Sequence, residues 1–336
     1  MKAIVCEEPG RLALVERPEP KAGEGEVLVR IRRAGVCGTD FHIFRGKQPF
    51  LTYPRVIGHE LAGEVVEAFP GSAVTPGQTV AVIPYLSCAR CVACRRGKTN
   101  CCQKIRVLGV HVDGGLCDLL AVPERNLVPV GDLSVDQAAM IEFLAISAHG
   151  VRRAAPGTGD RVLVVGAGPI GMAAVIFAKS RGAAVTALDV RADRLAFCRD
   201  QLGADETVEA GAAAGDTLER ITGGAFFDLV IDATGNAASM ERGFGYVAHG
   251  GAYLFLGIVQ GNLTFSDPEF HKRETTLLAS RNATREDFEA VLAAIRAGRV
   301  PTAALNTHRA SLEELPDLFP AWMAPDAGVV KALVEI

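Results

Sequence analysis

No stretch of this 336-residue chain is long and apolar enough to cross a bilayer. The strongly apolar uncharged run at residues 162–178 is marginal in length and interrupted by a Gly/Pro cluster. An excess of one charge sign is equally missing. With 35 Lys and Arg against 39 Asp and Glu the formal net charge is -4, so no basic surplus points to nucleic acid. The opening MKAIVCEEPGRLALVE carries acids early and no apolar h-region, which is not the pattern of a secretory leader. No membrane partner is expected, and the expected location is cytoplasmic. There thiols stay reduced, and clustered cysteines favour metal over disulfides. Internal repeats, low-complexity segments and flexible linkers are absent as well.

What is present suffices for two cores. Hydrophobic residues make up 49% and charged residues 22% of a chain longer than one compact core usually holds. The first 150 residues read as short strands and turns: AIVCE, RLALVE, VLVRIRRAGV, ELAGEVVEA and QTVAVIP are apolar or alternating, with Pro and Gly between them. A helix is expected over 135–154, starting after Ser134 as N-cap. From about 155, compact apolar strands (RVLVVGAG, AVTALDV, DLVIDAT, AYLFLGI) alternate with helical stretches. That alternation predicts a parallel sheet covered on both faces. REDFEAVLAAIRAGRV then reads as an amphipathic helix, and VVKALVEI as a closing strand.

GAGPIG, residues 166–171, follows the strand RVLVV and opens a helix. Gly166 permits the tight turn, Gly168 lets the backbone approach a pyrophosphate, and Gly171 allows close helix–strand packing. The helix that begins with Pro169 and Ile170 turns its unpaired N–H groups toward phosphates. Asp189 ends the next strand, where an acid accepts from ribose hydroxyls and repels a 2′-phosphate, favouring NAD over NADP. Arg191 and Arg194 follow closely and pull the other way.

Nine cysteines are present, five of them in SCARCVACRRGKTNCC. Cys88, Cys91, Cys94 and Cys102 give C-x2-C-x2-C-x7-C, a closed four-thiolate shell suited to a structural zinc, with a redox role or a nucleic-acid-binding ribbon as competitors. Cys6, Cys117 and Cys198 read as small core residues. CGTDFH (37–42) and GHE (58–60) each pair a metal-ligand type with polar neighbours. Taken alone, Cys37 reads as a buried thiol and His59 as a satisfied core histidine. HELAG is not a zincin motif, because Gly63 stands where a second His is required.

Taken together, Cys37-Gly-Thr39-Asp40-Phe-His42, Gly58-His59-Glu60, the four-cysteine lobe and GAGPIG resemble the zinc-dependent medium-chain alcohol/polyol dehydrogenases along the whole chain. HIFRGKQPFLTYPRVIGHE, LGVHVDGGLCDLLAVP and SRNATREDF look most like a bacterial polyol and sugar-acid branch. The resemblance implies an α/β chain: a GroES-like, mostly-β catalytic domain (1–149 and 285–336, with a structural-zinc lobe at about 86–103) and a Rossmann doubly wound NAD-binding domain (150–284). It implies two zinc ions per chain. Cys37, His59 and Glu142 hold the catalytic one; Cys88, Cys91, Cys94 and Cys102, leaving Cys101 spare, hold the structural one. Asp40 orients the ligand His, Glu60 approaches the metal during ligand exchange, and Thr39 and His42 relay the proton. Gly166, Gly168, Pro169, Ile170, Gly171, Asp189, Arg194, Thr234 and Gly257 form the expected cofactor site. Two departures stand out: Phe143 follows Glu142 where relatives usually have Pro, and Phe69 occupies a common Gly position. The apolar neighbours of Glu142 argue against a solvated helix residue, since an unpaired buried carboxylate is costly.

The activity so implied is NAD-linked oxidation of a secondary alcohol to a ketone on a sugar acid or polyol. An aldonate 5-dehydrogenase of the L-gulonate, L-galactonate or L-idonate type leads, ahead of sorbitol-like polyols and L-threonine. Arg45 and Lys47 favour a carboxylate-bearing substrate, with plain surface charge the equal alternative. A zinc-less quinone reductase and a non-catalytic NAD-binding zinc protein are the readings from other classes. Relatives imply a homodimer or homotetramer; the apolar stretch 250–265 lies where copies would pair, or is internal.

Overall fold

The computed structural model describes residues 1–324 and 326–336. The chain divides into two compact units, one of Met1–Phe143 with Thr284–Ala297 and Thr302–Ile336, the other of Leu144–Ala283 with Gly298–Pro301. Among the described residues no helix is long and apolar enough to cross a membrane.

The first unit is built mainly on antiparallel pairing, with Asn306–Ser311 parallel to Lys331–Glu335. Its main sheet runs in the order Leu127–Pro129, Thr79–Val82, Glu60–Glu67, Glu26–Val36, Lys331–Glu335, Asn306–Ser311, with Leu119–Pro123 also paired to Glu26–Val36. Alternation in Glu26–Val36 turns Val27, Val29 and Ile31 into the core. The strand Lys331–Glu335 comes from the far end of the chain and pairs antiparallel with Arg33–Val36. A second sheet joins Arg11–Glu16, Lys2–Glu8 and Arg55–Val56. The helix Gly38–Phe44 is anchored by Phe41 and Phe44, whose rings lie 5.0 and 5.4 Å from that of Phe319. The four-cysteine lobe emerges from a neck in which Tyr85–Leu86 pairs with Arg106–Val107.

The helix expected over 135–154 is in fact two, Val135–Ala139 and Ile141–Ala154. The first is pinned independently. Ser134 and Gln137 form a reciprocal cap, and Asp136 pairs with Arg33 at 2.6 Å and with Arg309. The break at Met140 starts a new helix, so Glu142 falls in a first turn, where unpaired N–H groups favour negative charge.

The second unit contains the parallel sheet. Its strands Arg161–Val165, Ala184–Asp189, Glu206–Glu209, Phe227–Asp232, Val247–Phe255 and Thr276–Ala279, counted in chain order, lie as third, second, first, fourth, fifth, sixth. All neighbouring pairs are parallel. Val247–Phe255 is interior, with a neighbour on each side. The chain order reverses beside the first strand, and ligands of such sheets bind at the strand ends there. The helix Pro169–Ser180 starts at that point, with Gly168 as N-cap and Pro169 in its first turn.

The glycines of the turn are dictated by space. Gly166 has φ +93°, and a Cβ on Gly171 would sit 1.7 Å from the carbonyl oxygen of Gly166. Gly171→Ala is therefore expected to cost at least ~3 kcal/mol through overpacking, seen as a lower urea-unfolding midpoint. An unchanged midpoint would mean that the turn yields freely.

Candidate active site

In the first unit the loop after Glu26–Val36 puts Cys37 at the N-cap of Gly38–Phe44, and Oδ2 of Asp40 accepts from the Cys37 N–H at 2.9 Å. His59 precedes the strand Glu60–Glu67. The ligand atoms of Cys37, His59 and Glu60 lie within 4.8 Å of one another. Asp40 faces His59, its Oδ1 lying 3.7 Å from Nδ1. Thr39 and His42, three apart on one short helix, share a face, Thr39 half-buried and His42 exposed.

Glu142 is outside the Cys37–His59–Glu60 group, but its charge reaches His59. Its Oε1 accepts the hydroxyl hydrogen of Tyr85, and its Oε2 is buried with no partner. Glu60 is placed differently. Both its oxygens receive the Lys331 ammonium at 2.6 Å, and that ammonium also donates to the Val36 carbonyl at 3.2 Å. The Phe143 ring lies 4.3 Å from the same nitrogen, a cation–π contact. Phe143 thus helps seat the lysine, which gives this departure a local use.

Burial and charge set the protonation here. Burial pulls His59 down, yet Asp40, Cys37 and Glu142 together hold it well above its ordinary range. Burial raises Asp40, and pushes Glu142 up to about 7 against the pull of His59. Burial and Glu142 keep the Tyr85 phenol protonated, hence a donor. Burial lowers His42, and Arg45 and Lys47 lower it further.

Cys88, Cys91, Cys94 and Cys102 form a second group of donors within 4.8 Å. Cys102 Sγ accepts from the N–H groups of Cys88 (3.2 Å) and Lys104 (3.4 Å). Backbone N–H groups, first that of Cys94, draw the Cys91 thiol down to about 6, the bias a metal-binding thiolate needs. Cys101 is exposed outside the group, while Cys6, Cys117 and Cys198 are buried.

In the second unit, Gly166, Gly168, Asp189, Arg194 and Thr234 line one cavity of about 980 Å³. A Cβ on Gly168 would meet only an Arg194 nitrogen, 3.8 Å away. Asp189 accepts from Ala167 N–H at 2.5 Å and Arg191 N–H at 2.9 Å, so it ties the glycine turn to its strand. Pro169, Ile170, Gly171 and Gly257 are not in the cavity wall; Ile170 instead accepts the Ser147 hydroxyl at 2.7 Å.

Residues 23–132 match the family described as alcohol dehydrogenase GroES-like domain, and residues 169–297 that described as zinc-binding dehydrogenase. L-galactonate-5-dehydrogenase of Escherichia coli K12 is 42% identical over 99% of this chain and 98% of its own. The chain belongs to the zinc-binding alcohol dehydrogenase family. Among solved structures, a short chain alcohol dehydrogenase of E. coli CFT073 complexed with NADH superposes on this dehydrogenase with TM-score 0.94, at 30% identity over 100% and 99% of the two chains. A zinc-binding dehydrogenase of Sinorhizobium meliloti 1021 bound to NADP gives 0.91, at 29% identity and the same coverage. The dehydrogenase is an oxidoreductase with a GroES-like domain and a Rossmann-type parallel sheet.

Its side chains fit the metal the family implies. Cysteine, histidine and carboxylate are zinc donors, as is a set of four cysteines. Asp40 Oδ1 and His59 Nδ1 are buried facing each other at 3.7 Å, while Glu142 Oε2 is buried without a hydrogen bond, the condition of an acceptor built to meet a cation. Lys331 and Tyr85 are the members of this dehydrogenase site that sequence reading misses. The one available signal for Lys331 is a basic residue inside the largely apolar stretch VVKALVEI.

Lys331→Met leaves the Glu60 carboxylate buried and unpaired and is expected to cost ~3–5 kcal/mol. Adding Glu60→Gln should recover part of that in urea unfolding. Equal stability of the wild type and both variants would mean that the pair carries no load.

Proposed function

We propose that this dehydrogenase oxidises the C5 hydroxyl of a linear sugar acid of the L-galactonate type to a ketone, using NAD. The observation that carries the reading is the near full-length likeness to the E. coli L-galactonate-5-dehydrogenase. It is joined to a donor set suited to zinc and a glycine-lined cavity suited to a dinucleotide. Bound zinc supplies Lewis acidity and bound nicotinamide a hydride acceptor.

Cys37, His59 and Glu142 are assigned to the catalytic ion. Glu60 is the competing carboxylate, but Lys331 engages both its oxygens, whereas Oε2 of Glu142 has no partner. Asp40 orients His59. The four cysteines of the lobe take the second ion, with no position left for substrate. The substrate hydroxyl gives its proton to Thr39, and from there it passes to His42 near solvent. Arg45 and Lys47, whose charges reach His42, lend this end of the site a positive field that suits a carboxylate-bearing substrate. Gly166 and Gly168 receive the pyrophosphate, and Asp189 the adenosine ribose, which favours NAD.

The first unit is accordingly assigned as catalytic domain and the second as coenzyme domain. A cytoplasmic location agrees with nine free thiols. A homodimer or homotetramer agrees with the edge strand Thr276–Ala279 and its partly exposed Leu277.

The test is reduction of NAD and NADP with aldonates, sorbitol, L-threonine and simple alcohols, alongside metal analysis. Turnover of NAD with L-galactonate or an epimer, and two zinc ions per chain, are expected. Activity confined to simple primary alcohols, or protein with zinc in the lobe alone, would refute the reading.

The pH profile probes the relay. Neutral His42 accepts the proton, so a lowered pKa extends oxidation toward acid. Arg45→Ala removes one cause of the lowering, and the acid limb of kcat/KM should move to higher pH. A limb that stays in place or moves down would argue against His42 as acceptor.

A further inference from the structure

Tyr85 touches Glu142 and has no part in the assignments above. It lies in the neck of the four-cysteine lobe and is buried, and it donates its hydroxyl hydrogen to Oε1 of Glu142. The rest of the residue is held by other contacts. The ring stands edge-on to Phe288 at 6.4 Å, and the main-chain carbonyl accepts from the Asn126 side chain at 3.2 Å. Backbone and ring are thus fixed without the hydroxyl, which is engaged on the carboxylate.

A carboxylate at the end of a glutamate side chain rotates broadly about its last bond. Once Oε1 is held, the direction of Oε2 is set, and Oε2 is the buried atom without a partner. Glu60, which does lie in the donor group with Cys37 and His59, shows the opposite arrangement, with both oxygens taken by one ammonium. The two acids are therefore sorted by their neighbours, one saturated and one left with a single free oxygen.

We propose that Tyr85 is a positioning residue: by holding Oε1 of Glu142 it presents Oε2 to the metal shared with Cys37 and His59. This rests on the reading of Glu142 as the third ligand. Hydrogen-bond partners of metal ligands fix ligand orientation, and their loss costs about 10- to 100-fold in metal affinity. Tyr85→Phe removes only the hydroxyl and keeps the ring against Phe288.

The experiment is chelator competition on the zinc-loaded enzyme, with the visible spectrum of the cobalt-substituted protein as second readout. The wild type is compared with Tyr85→Phe, Glu142→Ala and the double variant; the four-thiolate lobe serves as internal reference. Tyr85→Phe should release the catalytic metal about 10- to 100-fold more readily and shift its cobalt absorption, with the lobe unchanged. In the Glu142→Ala background the same substitution should have no further effect.

A merely structural Tyr85 would lower the unfolding midpoint and leave competition and spectrum untouched, which overturns the proposal. So would an effect that persists without Glu142. If Glu142→Ala holds its metal as tightly as the wild type, the ligand reading itself falls. If Glu142→Ala weakens binding and Tyr85→Phe does not, only the role of Tyr85 falls.

Discussion

A carboxylate removed from water needs a positive partner, and the first unit buries three of them close together: Asp40, Glu60 and Glu142. Nothing in an apolar sheet core supplies that charge by default. Glu60 has an ammonium delivered by a strand from the other end of the chain. Asp40 faces His59 and takes the Cys37 N–H. Glu142 has a phenol on one oxygen and an empty direction on the other. The antiparallel sheet, the cap of the helix Gly38–Phe44 and the break at Met140 all serve to bring these groups to one place.

The two donor sets show two ways of preparing for a metal. In the lobe, four thiols meet within sixteen residues, and backbone N–H groups draw the Cys88 and Cys91 thiols down toward thiolate, so local chain geometry does most of the organising. In the proposed catalytic set, Cys37, His59 and Glu142 come from separate elements and depend on the main sheet for their arrangement. The first kind of site survives sequence change around it more readily than the second, because fewer long-range contacts define it.

That difference explains what reading the chain alone can and cannot recover. GAGPIG announces its turn because the reasons for its glycines lie within six residues. The cysteine spacing is local in the same way. Strands such as Glu26–Val36 and helices such as Arg285–Arg296 are visible in their periodicity. The division at Met140 is not visible, because the pairing of Asp136 with Arg33 and Arg309 that fixes the first helix joins residues far apart in the chain. Lys331 is 271 positions from Glu60, and Tyr85 is 57 from Glu142. No local pattern encodes such partners; they exist only once the sheet is assembled.

The strand that carries Lys331 follows the entire second unit in the chain. Residues 144–283 form a contiguous block that is complete while 306–335 have still to be made. During synthesis from the N-terminus, the coenzyme-type sheet therefore has all its strands before the first unit has its last two. Until then Glu60 lacks its counter-charge and the edge of Arg33–Val36 is unpaired, a template for pairing with other chains. The nascent enzyme thus passes through a stage in which its metal-binding half is the part in need of shelter from aggregation.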